Sequence, residues 1–341
     1  MRRSVVACLM LFVATAAFAA NPYFLDRSGM LWNASSAPEG LVLTGEKDSV
    51  QVVRSVVPFP IAVSGTSDAQ IQVAADDLTG KVTVVWQRNW ADQASEIMMA
   101  VWQNGSWERI EHLSQDLAAY PRNPVIQITQ VATTVPDPTD PSDSTKALTV
   151  RDSFLHVVWW EGIGQGHGTY ALLRLTADPG DQDALVEQDL DSYSTIGLAC
   201  GVPVPPAVLE HPLFGAQTAG DRAFLFFGSQ RLCLLQLLQI SFALQTTPVY
   251  GSDGITVVAQ RRRHVPIFGL KKVFPMSKDF SMDNARVVLG SDLNPVAYRV
   301  VGPTIQYVTY SDQGWSPART LAVANGLTLD QAIPLVENLA R

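Results

Sequence analysis

The strongest constraint on the fold is internal repetition. Ile97 to Leu113 aligns without a gap with Ile305 to Leu321, so that Trp102 falls on Tyr310, Asn104 on Asp312, Trp107 on Trp315 and Leu113 on Leu321, all at an offset of 208 residues. A second segment recurs upstream. Lys81-Val82-Thr83-Val84-Val85-Trp86 resembles Phe154-Leu155-His156-Val157-Val158-Trp159, with weaker copies at Ala223 to Phe227 and Val296 to Val300. The spacing of about 70 residues is that of a structural repeat, which decides the fold before any single motif does.

Each unit reads as strands: short runs rich in Val, Ile, Trp and Tyr, broken by Gly, Asn, Asp and Pro, with no sustained 3.6-residue period. The clearest unit predicts strands at Ile71 to Ala74, Val82 to Gln87, Ile97 to Trp102 and Trp107 to Leu113. Asn104-Gly105 supplies the last hairpin turn, because both residues tolerate positive φ. Four-stranded meanders cannot hide their apolar faces alone, and repeated ones pack radially as a propeller. The expected fold is all-β, a β-propeller of four-stranded antiparallel blades, with five blades favoured and six or seven smaller ones left open. Ring closure is read at the ends: Ala332 to Leu339 as an innermost strand, with Leu41 to Thr44 and Val50 to Val57 as its outer partners. A helix capped by Thr328 is the competing reading of the C-terminal stretch, opposed by Pro334 inside it. Residues 133–146, rich in Pro and Asp, read as a loop insert.

Arg2 and Arg3 precede the apolar run Ser4 to Phe18, and Ala17-Phe18-Ala19 is a small-x-small site for cleavage before Ala20. Residues 1–19 are therefore expected to be an export signal and 20–341 a single propeller domain, periplasmic or extracellular. The run is shorter than the roughly 20 apolar residues of a membrane anchor, and only seven residues precede Cys8 in the lipobox-like Val5-Val6-Ala7-Cys8. Cleavage leaves 22 basic and 32 acidic side chains, a net charge of −10, which opposes nucleic acid as a partner. Cys200 and Cys233 remain, in a compartment where a disulfide persists, and sequence leaves open whether they pair or are buried thiols. Leu232 to Leu244, interrupted by Gln236, Gln239 and Ser241, is too short to span a membrane.

Tyr310-Ser311-Asp312-Gln313-Gly314-Trp315 resembles a degenerate Asp-box, the Ser-x-Asp-x-Gly-x-Thr-Trp turn of sialidase-like β-propellers, and Gln103-Asn104-Gly105-Ser106-Trp107 is a weaker copy. The resemblance implies a fold, since the box is a structural turn in that superfamily. Its enzymes use an arginine triad, a Tyr nucleophile assisted by Glu, and an Asp acid. Arg54, Arg88, Arg122, Arg174, Arg222, Arg286 and Arg299 are scattered through the units, and Arg54-Ser55-Val56-Val57-Pro58 is one residue too long for the family's Arg-Ile-Pro opening. The triad is not assignable.

Other chemistry finds little support. His112, His156, His167, His211 and His264 form no zinc spacing. Asp137, Asp140 and Asp143 lack the glycine and terminal Glu of a calcium loop, and Asp181 to Asp191 reads as solvated surface. The Gly162 to Gly168 run lacks the Gly-Lys-Ser/Thr ending of a phosphate cradle. No Gly-x-Ser-x-Gly elbow occurs, and Arg261-Arg262-Arg263-His264 with Lys271 and Lys272 reads first as edge-strand protection and second as an anion site. No cofactor or metal is expected. Trp160, Glu161 and His167 are the candidate ligand contacts, an aromatic face with polar neighbours where a strand meets its loop, and Trp160 is read as the more exposed of Trp159 and Trp160. The resulting expectation is a non-catalytic module that binds a glycan or protein. The rivals are a sialidase-like glycoside hydrolase and a structural envelope subunit.

Overall fold

The computed structural model describes residues 23–58, 66–91, 94–114, 120–136, 147–161, 167–176, 185–192, 213–219, 222–229, 234–250, 252, 254–275, 277, 279–280, 285–290, 292–301 and 304–322. Among the described residues the chain is all-β, and every sheet is an antiparallel meander in chain order. Sheet I holds β1 (Tyr23–Leu25), β2 (Leu31–Ala37), β3 (Gly40–Lys47) and β4 (Val50–Val56). Sheet II holds β5 (Ser67–Ala75), β6 (Val82–Asn89), β7 (Ser95–Gln103) and β8 (Ser106–His112). Sheet III holds β9 (Arg122–Pro136), β10 (Ala147–Glu161), β11 (His167–Arg174) and β12 (Leu185–Ser192). Sheet IV holds β13 (Leu213–Ala219), β14 (Arg222–Ser229), β15 (Leu234–Tyr250) and β16 (Val257–Pro275). Sheet V holds β17 (Arg286–Leu289), β18 (Pro295–Val301) and β19 (Thr304–Ser311), with β20 (Gly314–Trp315) and β21 (Arg319–Ala322) both paired to β19.

The recurring segments occupy equivalent places. The four Val/Phe/Trp runs form β6, β10, β14 and β18, the second strands of sheets II to V. These strands are continuous apolar runs because both faces are covered. Val84 and Trp86 pack toward sheet I, whereas Val85 packs toward sheet III. Trp159 joins the core between sheets II and III, and Trp160 the core between III and IV. Phe224 and Phe226 meet Val287 and Leu289 between IV and V. First strands of successive sheets also adjoin, β5 against β9, β9 against β13 and β13 against β17. Sheets stacked face to face in chain order around neighbouring first strands are compatible with propeller blades.

The offset-208 pair is the third-to-fourth-strand hairpin of sheets II and V. Trp102 faces Trp107 across one turn and Tyr310 faces Trp315 across the other. Asn104 and Gly105 take φ of 50° and 88° in the first turn, whereas in the second the positive φ, 96°, falls on Gly314. There the amide of Gln313 donates to Ser311 Oγ at 3.3 Å, so Ser311 accepts the turn's N–H. Both hairpin tryptophans reach back to the outermost strand of the preceding sheet: Trp107 Nε1 donates to Ser55 Oγ at 2.9 Å, and Trp315 Nε1 to the Pro275 carbonyl. Trp107→Phe and Ser55→Ala are therefore expected to show a coupling of about 1 kcal/mol in a double-mutant cycle of urea melts. Purely additive losses would deny the tie.

In sheet I, Leu41 to Thr44 and Val50 to Val56 do pair as neighbouring strands, and β1 and β2, from the chain's own N-terminal side, precede them in the sheet order β1-β2-β3-β4. Ala332 to Leu339, Cys200, Cys233 and residues 1–22 lie outside the described residues. Of the insert, 133–136 instead extend β9 and pair with 147–150 of β10, and 137–146 lie outside the described residues.

Candidate functional site

Contacts between sheets define two rims. On the trailing rim, where first strands end, Asp76 and Asp77 at the β5–β6 turn accept from Gln130 Nε2 (2.8 Å) and the Arg27 amide (3.2 Å). On the leading rim, where they begin, Ser95 Oγ donates to the Pro121 carbonyl at 2.6 Å and the Asn123 amide to Gln87 Oε1 at 3.1 Å.

The leading rim of sheet II carries charge on a face that is otherwise apolar. Even-numbered residues of β6 and β7 fill the core between sheets I and II: Val82, Val84 and Trp86, then Met98, Ala100 and Trp102. Strand alternation continues that face onto Arg88 and Glu96, and register sets Asp68, Arg88 and Glu96 side by side on three adjacent strands. Arg88 Nε and Nη2 donate to the two oxygens of Asp68 at 2.9 and 3.2 Å, and Trp86 Nε1 adds a third bond at 3.1 Å. This forked pairing satisfies the buried Asp68. Glu96 is only 2% exposed, and one oxygen lies 2.9 Å from His112 Nδ1, whose side chain is 55% exposed. Glu96 Oε1 is enclosed and has no hydrogen-bond partner among the described residues. That oxygen is closed to a ligand, so the group of this row that a ligand can reach is the solvent-facing His112 imidazole, which Glu96 holds through Nδ1.

The backbone is strained along the same rim. Gln70, Tyr120 and Asn123 hold φ of 51°, 50° and 54°, and the β5 register shifts between Ala69 and Gln72. Non-glycine residues seldom adopt this region, and such strain gathers at ligand clamps and active sites. Gln87 Nε2 donates to Asn89 Oδ1 at 2.6 Å, so an amide pair faces the crossover into sheet III.

The structure separates the residues singled out from sequence. Trp159 and Trp160 point to opposite faces as alternation requires, but Trp160 is 0% exposed, which corrects the reading of it as the outer member. A second strand flanked by sheets on both sides offers no open face. Glu161 accepts from Trp159 Nε1 at 2.7 Å and stands opposite His167 in the β10–β11 register, next to residues 162–166. Asp68, Arg88, Glu96 and His112 were not singled out as a group. Their signal was a charge at the core-facing register of β6 and again of β7.

Two further polar networks lie inside. Asp152 Oδ2 accepts from the His264 amide (2.7 Å) and faces His264 Nδ1 (2.8 Å), Oδ1 accepts from Thr176 Oγ1 (2.8 Å), and His264 Nε2 meets Thr133 Oγ1 at 2.8 Å. Burial raises the Asp152 pKa, but the bonds from His264 and Thr176 with the nearby Arg174 charge outweigh it and hold the carboxyl below its ordinary value. Asp, His and hydroxyl in series have the connectivity of a proton relay. His264 is fully enclosed, however, and leaves no face for a substrate. This network ties sheets III and IV. Nearby, His156 bridges Thr129 Oγ1 (2.7 Å) and the Tyr170 hydroxyl (2.8 Å), and burial lowers its pKa to about 3.

Arg54 pairs with Glu39, Arg88 with Asp68, Arg174 with the His264 carbonyl and Arg299 with Gln306, which places four arginines on partners in separate regions. Among the described residues no group of three His, Cys, Asp or Glu side chains is placed to hold a metal. No described helix is long and apolar enough to cross a membrane.

No family model and no curated protein matches the chain. Among solved structures, it is similar to an alpha-L-arabinofuranosidase from Lactobacillus brevis, at 12% identity over 87% of this chain and 93% of that chain, with a TM-score of 0.34. Likeness at this level establishes neither a shared fold nor a shared activity.

Proposed function

We propose that the chain is an exported, single-domain β-propeller of five blades that binds a glycan at the leading rim of sheet II without turning it over. Closure of the ring is supported by the far face of sheet V, where Val296, Tyr298 and Ile305 are buried in a cluster made of sheet V residues alone among the described residues, and by Val42, buried on sheet I outside its shared core with sheet II. Two outer faces that are both buried are best satisfied by each other.

The observation that carries the binding reading is the row Asp68–Arg88–Glu96 with His112 at its open end. Sugar hydroxyls both donate and accept, and the solvent-facing His112 imidazole, positioned by Glu96 at the end of this row, can answer either need. The absence of turnover is supported by Asp68: Arg88 and Trp86 already hold both of its oxygens, so it is poorly placed to exchange a proton or attack a substrate. Glycan-array binding by the purified protein is expected, with affinity lowered about tenfold by Glu96→Gln and by His112→Ala, the loss of one hydrogen bond to a charged or ring group. Hydrolysis of sialosides or aryl glycosides, abolished by Glu96→Gln, would replace binding by catalysis. A stable protein complex with no glycan signal would favour the structural subunit.

A further inference from the structure

The longest strands in sheet IV, β15 and β16, continue as a two-stranded hairpin past the body of the sheet. β15 runs in the same sense as β13, so the hairpin projects from the trailing rim, away from the proposed glycan site. On either side of the sequence Gly251-Ser252-Asp253-Gly254, its end rungs are apolar and open on both faces. Ile255 is 82% exposed, and on β16 the alternating Val257 and Val258 are 51% and 63% exposed. Val249 and Tyr250, opposite Ala259 and Val257, are exposed as well. Single exposed apolar residues are ordinary, but here they are contiguous. At about 3.4 Å per residue the apolar rungs extend roughly 10 Å.

Behind the tip the chemistry changes sign. Thr247 faces Arg261, Thr246 faces Arg262 and Gln245 faces Arg263, so three cations occupy successive rungs, Arg261 exposed and Arg262 and Arg263 half-buried with Arg262 Nη1 and Arg263 Nε enclosed. Against them the hairpin's sequence from 241 to 263 holds one acid, Asp253. The chain as a whole carries −8, which makes this a local reversal. Edge protection accounts for arginines on β16, the outermost strand of its sheet. It does not account for the apolar tip, since greasy edges invite the pairing that the charges discourage.

We infer that this hairpin docks the protein on an anionic lipid surface. A protein groove covers one face of a hairpin, whereas these side chains are exposed all round the tip, and only a surrounding apolar medium removes all of them from water. The depth fits, because interfacial elements bury about 5–10 Å into the headgroup and acyl boundary. The exposed Arg261, with the half-buried Arg262 and Arg263 on the next rungs, then meets anionic headgroups, as basic segments at membrane surfaces do. The neighbouring β9–β10 hairpin ends in a segment containing Asp137, Asp140 and Asp143, so the docking charge rests on β16.

Co-sedimentation of the full chain with large vesicles of phosphatidylcholine, with and without about one-third phosphatidylglycerol, tests this. Binding is expected on the anionic vesicles at low salt, weakened at least tenfold by Ile255→Asp with Val258→Asp, and by a similar factor by Arg261→Gln with Arg262→Gln. Ile255 and Val258 are exposed, so circular dichroism and melting temperature should not change in that pair. No sedimentation of the wild-type chain, or sedimentation indifferent to both pairs of substitutions, overturns the inference. A concentration-dependent dimer that Ile255→Asp abolishes, without vesicle binding, assigns the tip to a second copy and overturns it equally.

Discussion

Asp152→Ala is expected to destabilise the fold by about 3–5 kcal/mol, the usual cost of removing one partner from a buried ionic cluster. The carboxylate gathers the amide and ring nitrogen of His264, the Thr176 hydroxyl and the charge of Arg174, which lies 3.9 Å away. Asp152 and Arg174 are both nearly enclosed, and the guanidinium carbon stands 5.5 Å from the Phe154 ring. Alanine leaves that cation in a poorly solvated position and strands the His264 amide. Since His264 sits on β16 and Asp152 on β10, the loss falls on the contact between sheets III and IV. Urea melts followed by tryptophan fluorescence should report it, with Trp160 in that interface as the probe. Thr176→Val removes one donor only and should cost about 1 kcal/mol. An Asp152→Ala loss below about 1 kcal/mol would show that water, not the protein, solvates the cluster. The pH dependence has a definite sign. A carboxyl whose folded pKa is depressed stabilises fully above its unfolded value near 4, and the contribution disappears as pH falls through the folded value.

What could be read from the chain alone was what is local. Asn104-Gly105 reads as a hairpin because two adjacent residues accept positive φ, and the Trp102 and Trp107 register follows from the turn. The second strands were readable because burial on both faces writes itself as a continuous apolar run. Partnership between strands distant in sequence was not. Asp68 and Arg88 are 20 residues apart and meet only after a bulge resets the β5 register. Thr133 and His264 lie 131 residues apart, across two sheets. Trp160 shows the same limit from the other side: alternation gave its direction, but only the neighbouring sheet decides whether that direction ends in solvent. The first strand of the first sheet went unread because Tyr23 to Leu25 is too short to carry a pattern. A recurring signal passed unused there. Asp26-Arg27-Ser28-Gly29 and Asp76-Asp77-Leu78-Thr79-Gly80 build similar first-to-second-strand turns, each closed by a carboxylate and ending on a glycine with φ of 81° or 71°. Burial raises the Asp26 pKa, yet bonds from Ser28, Trp32 and Met30 bring it below the ordinary value, which marks the turn as a folded-state device.

Acid should loosen the protein well before its carboxylates protonate, and His156 sets that window. Buried without a charge partner, its imidazole has a pKa lowered from 6.5 to about 3, so the native state stays neutral where the unfolded chain is already protonated. Below about pH 6.5 the unfolded state binds the extra proton, and stability falls by up to 1.4 kcal/mol per pH unit until the folded value is reached, an upper bound of about 5 kcal/mol. Tyr170, its hydrogen-bond partner, behaves oppositely: burial raises the phenol pKa, so its share is intact below about pH 10 and is lost as alkali ionises the unfolded chain first. Urea midpoints measured from pH 7 down to pH 4 should therefore decline steadily. His156→Gln, which cannot titrate, should start lower at pH 7 because the two hydroxyls lose a well-fitted partner, yet decline less over the same range. Asp152 and Asp26 act only near and below pH 4, so the two effects separate along the pH axis. Parallel declines in wild type and His156→Gln would mean that the imidazole is protonated in the native state, and that the Thr129–His156–Tyr170 bridge does not hold three strands of sheet III together as described.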